Sequence, residues 1–545
     1  MKTKLLNALL SATLFLIPAI HFAQAPNIGA AANFVLFSSN GAVTNNTSSF
    51  SQVTGDVGNG NPAKTSTGFG NINGTHHDGD TKGIAAKADL LSAYNKLDSM
   101  SPNFTISPLL GNGDTLVEGI YFVPSSNPAT LDLNLFLDAE GDSGALFVFQ
   151  IEGPFSTHTN SKIILINGAK ACNVFWKVEG LVDMETGTTM RGNVIANNAA
   201  IKMQTGDTLE GRALSTTGAI TINGVFAYIP LGCGTPILTG PTTPVLGSVE
   251  CFGLFSSTGA VSNSGTTMVN GDVGSNSMSP TGFVASDVTG SIHANPDAAT
   301  LQCKNDLALV YTYLDNLPVD IELKFPAAFG HHLVLTPHTY HLNAATTLID
   351  TIVLNAQGNV NGVFVLKING ALTTMAKSKV KLINGAQSKN VFWKIEGGLD
   401  MGTNTVFVGT VIVNNGALGS MGTGTVLNGR ALTTSGALST TAISTTMAAV
   451  CPPVGISSYD EKITKTATIY PNPFGTSFHI QLIDTWKINN TQLIVYNVLG
   501  EVMLFTTITK QLTIIETENL QTGVYFYQLV ENSNVIQSGR LAATQ

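Results

Sequence analysis

Residues 401–440 read MGTNTVFVGTVIVNNGALGS and then MGTGTVLNGRALTTSGALST. These two rows of twenty match at Met401 and Met421, Thr403 and Thr423, Thr405 and Thr425, Val406 and Val426, Gly409 and Gly429, and Leu418 and Leu438. Self-similarity at a short fixed period marks a solenoid, in which each turn of chain buries its apolar side chains only against the turns above and below. Other turns rhyme too. FQIEG at 149–153 returns as WKVEG at 176–180, and LKING at 366–370 as WKIEG at 393–397, twenty-seven residues on in both cases. The next spacing is nineteen residues from Met184 to Met203, against twenty in the later rows. Short Val, Ile, Leu and Phe runs set between Gly, Asn and Thr make the turns β-strands.

The rhyme sits inside a larger duplication. GDVG occurs at 55–58 and 271–274, INGAKACNVFWKVEG at 166–180 returns as INGAQSKNVFWKIEG at 383–397, and GRALSTTGAIT at 211–221 returns as GRALTTSGALS at 429–439. Each copy carries one amphipathic helix. The periodicity predicts about 82–98, with Ile84, Ala88, Leu91 and Tyr94 on one face, and about 298–316, with Leu307, Val310, Tyr311 and Leu314 on one face. The resulting division is a leader at 1–25, a first domain at 26–232, a Gly, Pro and Thr-rich linker at 233–248, a second domain at 249–451, a linker at 452–465 and a last domain at 466–545. The last domain lacks the threonine ladder, and its strand-like runs are spaced for a small β-sandwich.

Only 11% of residues are charged, against about 25% in ordinary globular proteins, while 43% are hydrophobic, so the chain can build cores under a neutral polar surface. Net charge is −9 with no basic run, which argues against a nucleic-acid partner. MKTKLLNALLSATLFLIPAIHFAQA has the lysines, apolar run and small residues of a secretory leader, with cleavage expected between Ala23 and Pro26. No later apolar run is long enough to span a bilayer, so the mature chain is expected to be exported without a transmembrane segment. In that compartment the five cysteines suggest disulfides, with Cys172–Cys233 and Cys251–Cys303 as the pairs and Cys451 left over.

The duplicated unit resembles the ice-binding domain of the DUF3494 type. The matching motifs are GDVG, the NGA-x-x-x-NVFW signature at Asn167–Trp176 and Asn384–Trp393, the Gly-Thr-rich coil after it, and EGRAL or NGRAL near the end. The resemblance implies a mostly β fold of two discontinuous right-handed β-solenoids, triangular in section, each with one packed α-helix. The last domain resembles a type IX secretion sorting domain through Tyr470-Pro471-Asn472-Pro473, Tyr496-Asn497-Val498-Leu499-Gly500 and Leu520-x-x-Gly523-Val524-Tyr525; the ending SGRLAATQ departs from the usual lysine-containing one. That resemblance implies export by type IX machinery to the outside or outer surface of a Bacteroidetes-type bacterium.

Stacked coils lie about 4.8 Å apart and alternate residues along a strand about 6.6–7 Å apart, a grid near the oxygen spacings of ice. Threonine suits such a grid because its χ1 is stiff, its methyl is apolar and its hydroxyl hydrogen-bonds ordered water. With Val406 and Val426 inward, Thr403, Thr405, Thr423 and Thr425 would form an outward array, interrupted by Lys377 and Lys379. In the first copy TGTT at 186–189 and TGDT at 205–208 place Thr186 over Thr205 and Thr189 over Thr208, with Thr159 extending one column, Lys162 ending the other and Asp207 between them. The resemblance makes the ice surface the expected partner. A structural role for the threonines is the plainer alternative, since threonine is a good strand residue.

Other chemistry finds less support. His331, His332, His338 and His341 cluster without metal-ligand spacing, as do His76 and His77 beside Asp78 and Asp80, so surface loops are expected and no cofactor. Glu152, Glu179, Asp183 and Glu185 are scattered, and no GxSxG, HExxH or P-loop occurs, so no enzyme is expected. Trp176 and Trp393 sit in apolar runs and read as packing in preference to sugar platforms. The rival reading is a surface adhesin or polysaccharide-binding solenoid with an idle threonine face.

Overall fold

The computed structural model describes residues 25–544 apart from 47–49, 125–127, 231–237, 448–466, 484–490, 499–501, 518–519 and 532–533. The leader and the second linker therefore lie outside the described residues, as do Cys233 and Cys451. Two compact units divide the chain at residue 451.

The first unit holds two β-solenoids whose coils are joined by parallel ladders. Phe149 pairs with Trp176, Thr189 with Thr208 and Val406 with Val426, which are the spacings that the repeats predict. Each coil has three sides. On the helix side lie Phe147–Ile151, Val174–Val178 and the later halves of Thr189–Ala196 and Thr208–Ser215. The flank holds Asn134–Asp138, Lys162–Ile166 and the first residues of those two long strands. On the open side are Ala129–Asp132, Phe155–Thr157, Val182–Asp183, Ile201–Met203, Ile220–Ile222 and Val43–Asn45. The solenoid is discontinuous: the early strand Phe34–Ser38 pairs with Thr208–Ser215, the last full coil. One apolar core fills each triangle, with Trp176 and Trp393 fully buried in it.

Helices α1 (Thr81–Asp98) and α2 (Ala298–Asn316) cover the helix sides. On α2 the buried stripe is Thr300, Cys303, Leu307, Val310 and Leu314, close to the predicted face. On α1 the face is different. Gly83, Ala86, Leu90, Ala93 and Leu97 are buried, while Ile84 and Leu91 are more than half exposed and Tyr94 is half-buried. The reason lies in the sheet beneath, which supplies the bulk through Val148, Phe175, Ile195 and Leu214, so small residues let α1 approach. Cys303 is a buried free thiol on that stripe, and both Cys172 and Cys251 are disulfide-bonded. The expected Cys251–Cys303 bridge is thus corrected, and Cys303 is the free thiol among the described residues.

The solenoids meet end to end. The Asn71 amide donates to the carbonyl of Phe325 (2.9 Å) and accepts the Phe325 N–H (2.8 Å). Asn73 donates to the Thr336 hydroxyl (3.0 Å) and accepts from the Tyr340 hydroxyl (2.7 Å). The Phe50 and His331 rings stack at 4.1 Å. The histidine-rich stretch of the second copy is therefore half of this seam, which explains why the first copy has no histidines there. His332 instead pairs with Asp350 (2.8 Å). The connecting segment is strapped to the second solenoid: Leu238 accepts from Asn359, Thr239 from the Val363 N–H and Thr242 from the Tyr313 hydroxyl.

The second unit packs a three-stranded sheet (Ala467–Tyr470, Ser477–Leu482, Leu512–Glu516) against a four-stranded one (Thr491–Tyr496, Val502–Thr507, Gly523–Glu531, Asn534–Ala543), both antiparallel, around Phe478, Ile480, Leu493, Val495 and Leu529. This is the expected β-sandwich.

Candidate functional site

A flat binding surface needs a side that nothing covers. The helices remove one side of each triangle, leaving the flank and the open side.

In the first copy the T-G-x-T turns lie at the corner between those two. Thr186 and Thr205 are exposed, and Thr189 and Thr208 are half-exposed neighbours on adjoining strands. The third position turns inward. Thr188 is fully buried and its hydroxyl meets that of Thr157 at 2.6 Å. Asp207 is equally buried, so it is no surface blemish: its carboxylate accepts the N–H groups of Thr188 (2.9 Å) and Gln204 (2.7 Å) and closes the turn. Burial pushes that carboxyl up to about 7 in spite of these donors. Lys162 pairs with Thr189 and ends the column, as expected. Beside the Thr189–Thr208 pair, Arg191 and Glu210 form an ion pair at 2.9 Å on the same flank.

The second copy corrects the sequence reading. Thr405 and Thr425 occupy the inward third position and are 0% exposed, with the Thr405 hydroxyl against that of Thr374 (2.9 Å) and on the Gly402 carbonyl (2.7 Å). Val406 and Val426 occupy the outward fourth position, and Val426 is 39% exposed. Only Thr403 and Thr423 of the expected four face out. The corner resets the strand alternation, so alternating back from an assumed inward valine puts Thr405, Thr425 and the valines themselves on the wrong side.

The open side carries a ladder that the threonine count missed. In the first copy Thr67, Thr44 and Thr221 are neighbours on successive strands, followed by Lys202, Asp183, Ser156 and Thr130. In the second copy the outward residues are Thr281, Ser262 and Ser439, then Asp400, Thr373 and Thr347. Beside them Ala260, Ala437, Ala417, Ala371 and Ala345 are exposed or half-exposed. The signal was in the sequence as a recurrent Ala-apolar-Ser/Thr triplet, in GAVS, GALS and GALT, with the middle residue buried. Glycine sets the edge of this side. A Cβ on Gly436 would lie 1.9 Å from the Gly416 carbonyl of the coil below, so coils stack closely there only without side chains. Two flaws interrupt the side: Lys202 and Asp183, 3.8 Å apart, and a bulge at Leu418–Met421 where Asp400 accepts the Ser420 N–H. The bulge is the twentieth residue that distinguishes the second copy's coil from the nineteen of the first.

The family described as ice-binding-like matches residues 37–226 and again 255–446, and the secretion system C-terminal sorting domain matches 468–541. A sorting domain of this kind marks a secreted or cell-surface protein. The chain is similar to the crystal structure of an ice-binding protein from an Antarctic Flavobacteriaceae bacterium, with 54% identity and a TM-score of 0.76, over 79% of this chain and all of that one. It is 39% identical over 171 residues to an ice-binding protein of Nostoc sp. (strain HG1) and 30% identical over 221 residues to ice-binding protein 1 of Shewanella frigidimarina. Those matches take in 31% and 35% of this chain, and span 61% and 25% of the two relatives' lengths.

Proposed function

The chain belongs to the ice-binding-like family in both of its solenoids, and on that premise we propose that it is an exported protein that adsorbs to ice and inhibits ice growth and recrystallisation. The observation that carries this reading is the open side: an uncovered face of in-register strands bearing Thr, Ser, Ala and Gly with few charges. Rigid β-branched side chains on a fixed grid need no ordering when they meet a crystal, and small neighbours leave room for ordered water between the rows. Thr186, Thr205, Thr403 and Thr423 form the margin of this side, and Thr189 and Thr208 lie just around the corner. No catalytic step enters the reading. The sorting domain addresses the chain to type IX secretion machinery.

The test uses thermal hysteresis and recrystallisation inhibition on the mature chain. Thr221→Tyr with Thr373→Tyr should abolish most activity while circular dichroism stays unchanged. Thr189→Tyr with Thr208→Tyr should keep most of it. The reverse pattern would move the contact to the flank, and an inactive folded parent would end the reading.

A further inference from the structure

The seam brings together two pairs of like corners of the triangles, and Asn71 adds a contact along the open-side edge. Asn71, just past the open-side strand Ser66–Thr67, bonds the carbonyls of Phe325 and Ala328 (2.9 and 3.4 Å), immediately before the open-side strand Phe329–Gly330. Phe50, at the corner between open side and flank, stacks on His331, at the corresponding corner. Asn73, bridged to Thr54 at the far end of the flank, bonds Thr336 and Tyr340, at the far end of the other flank. The two contacts at matching corners, Phe50 on His331 and Asn73 on Thr336 and Tyr340, fix rotation as well as distance. A cavity of about 390 Å³ lies at the first corner and one of about 510 Å³ at the second, on either side of where strand Gln52–Thr54 lies against Leu333–Leu335.

We infer that the seam holds the two solenoids in rotational register, so that their open sides form one composite face. Resting on the ice-adsorption reading, this inference names where the face is best. Thr373 and Thr347 pair laterally, and Ala328 lies beside Thr347, one position before the Phe329–Leu348 pair. In the composite face this run is taken up on the other side of the seam by the ladder Thr67, Thr44 and Thr221. These six positions lie between Asp400 and Lys202 and carry no charge, making them the longest uncharged run on either open side. Neither solenoid owns this run; it exists only while the seam is closed. The crystal plane it meets must therefore offer one periodic match across both domains, in place of two independent contacts.

The experiment loosens the seam and leaves every open-side residue in place. In the mature full-length chain, Phe50→Glu, His331→Glu and Asn73→Ala remove the ring stack and the central amide and put like charges across the joint. Small-angle X-ray scattering should show a larger radius of gyration, and hydrogen exchange should show both solenoid cores protected. Hysteresis should then fall several-fold at equal molar concentration. Full activity in a variant whose seam is open and whose solenoids are folded would overturn the composite face while leaving ice adsorption standing. An inactive parent would overturn both. If the triple variant unfolds, Asn71→Ala with Asn73→Ala, which adds no charge, is read in the same way. Single changes Thr44→Tyr and Thr347→Tyr supply a second readout. Each should remove well over half of the activity, whereas losses of half or less, summing additively, would mean independent faces and overturn the inference.

Discussion

A single buried carboxylate carries the clearest consequence at the residue scale. Asp207 has an ordinary value of 3.8 when unfolded and about 7 in its turn, so between those limits the folded state holds a proton that the unfolded state releases. Stability from this site is fullest at low pH, declines as pH rises from about 4 to about 7, and is level above that. The second copy has Thr425 at the matching place. Asp207→Thr should therefore flatten the melting temperature between those limits relative to the parent, a change of roughly 1–4 kcal/mol across the window. Unchanged slopes in parent and variant would show that the carboxylate is ionised throughout. The sequence disclosed the turn but not the direction of its third residue. Threonine at that position has a buried use, closing the turn with its hydroxyl, that is indistinguishable in composition from its surface use. Position relative to the glycine decides, as Thr188 and Thr425 show.

At the scale of elements, each helix is pinned by a buried lysine. The Lys177 ammonium lies 2.7 Å from Asp98 at the end of α1, 2.8 Å from Glu152 and 3.0 Å from Glu179, with its side chain 2% exposed. Burial opposes its charge, and the three carboxylates outweigh burial and hold the ammonium above its usual range. Tyr94 donates to Glu179, and Asn197 completes the set. The second copy repeats the device with Lys394, Asp315, Glu396, Tyr311 and Asn414, although Asn369 replaces the third acid. Helix ends are covered in parallel: Gln150 donates to the carbonyls of Leu97 and Met100, and Lys367 to those of Asp315 and Leu317. Lys177→Met should cost about 2–4 kcal/mol, because three acids, all partly solvated, would face one another without a cation. Hydrogen exchange should place the loss in α1 first. Uniform weakening of the whole solenoid would contradict the pinning role. Periodicity located both helices nearly to the residue. The face of α1 departs from that pattern because Gly83, Ala86 and Ala93 let the helix approach the sheet and Leu90 and Leu97 pack there, which turns Ile84 and Leu91 outward.

For the whole molecule, the duplication, the coil spacing and the final sandwich were legible because each repeats or changes composition along the chain. The seam was not. Its partners are far apart in sequence, and its histidines resemble a loop until Phe50 and Asn73 are placed beside them. The Gly-Pro-Thr segment after the first domain looked like a tether, yet its described part is bonded along the second solenoid. Both observations lead us to expect that the solenoids unfold in one calorimetric transition, and that the seam variant splits it into two. Two transitions in the parent would mean that the seam contributes little to stability. The shortening of coils from twenty-seven to nineteen residues has a different meaning. Backbone ladders hold the rise per coil near 4.8 Å whatever its length, so the residues that a coil of twenty-seven has beyond nineteen are spent at corners, and the one-residue bulge at Leu418–Met421 is what falls on the open side instead. Contact area can then grow only in whole steps, one rank at a time. Such a protein adjusts its grip on a crystal as a ruler is lengthened, by adding graduations of fixed pitch, and joining two rulers end to end is the same operation performed once more.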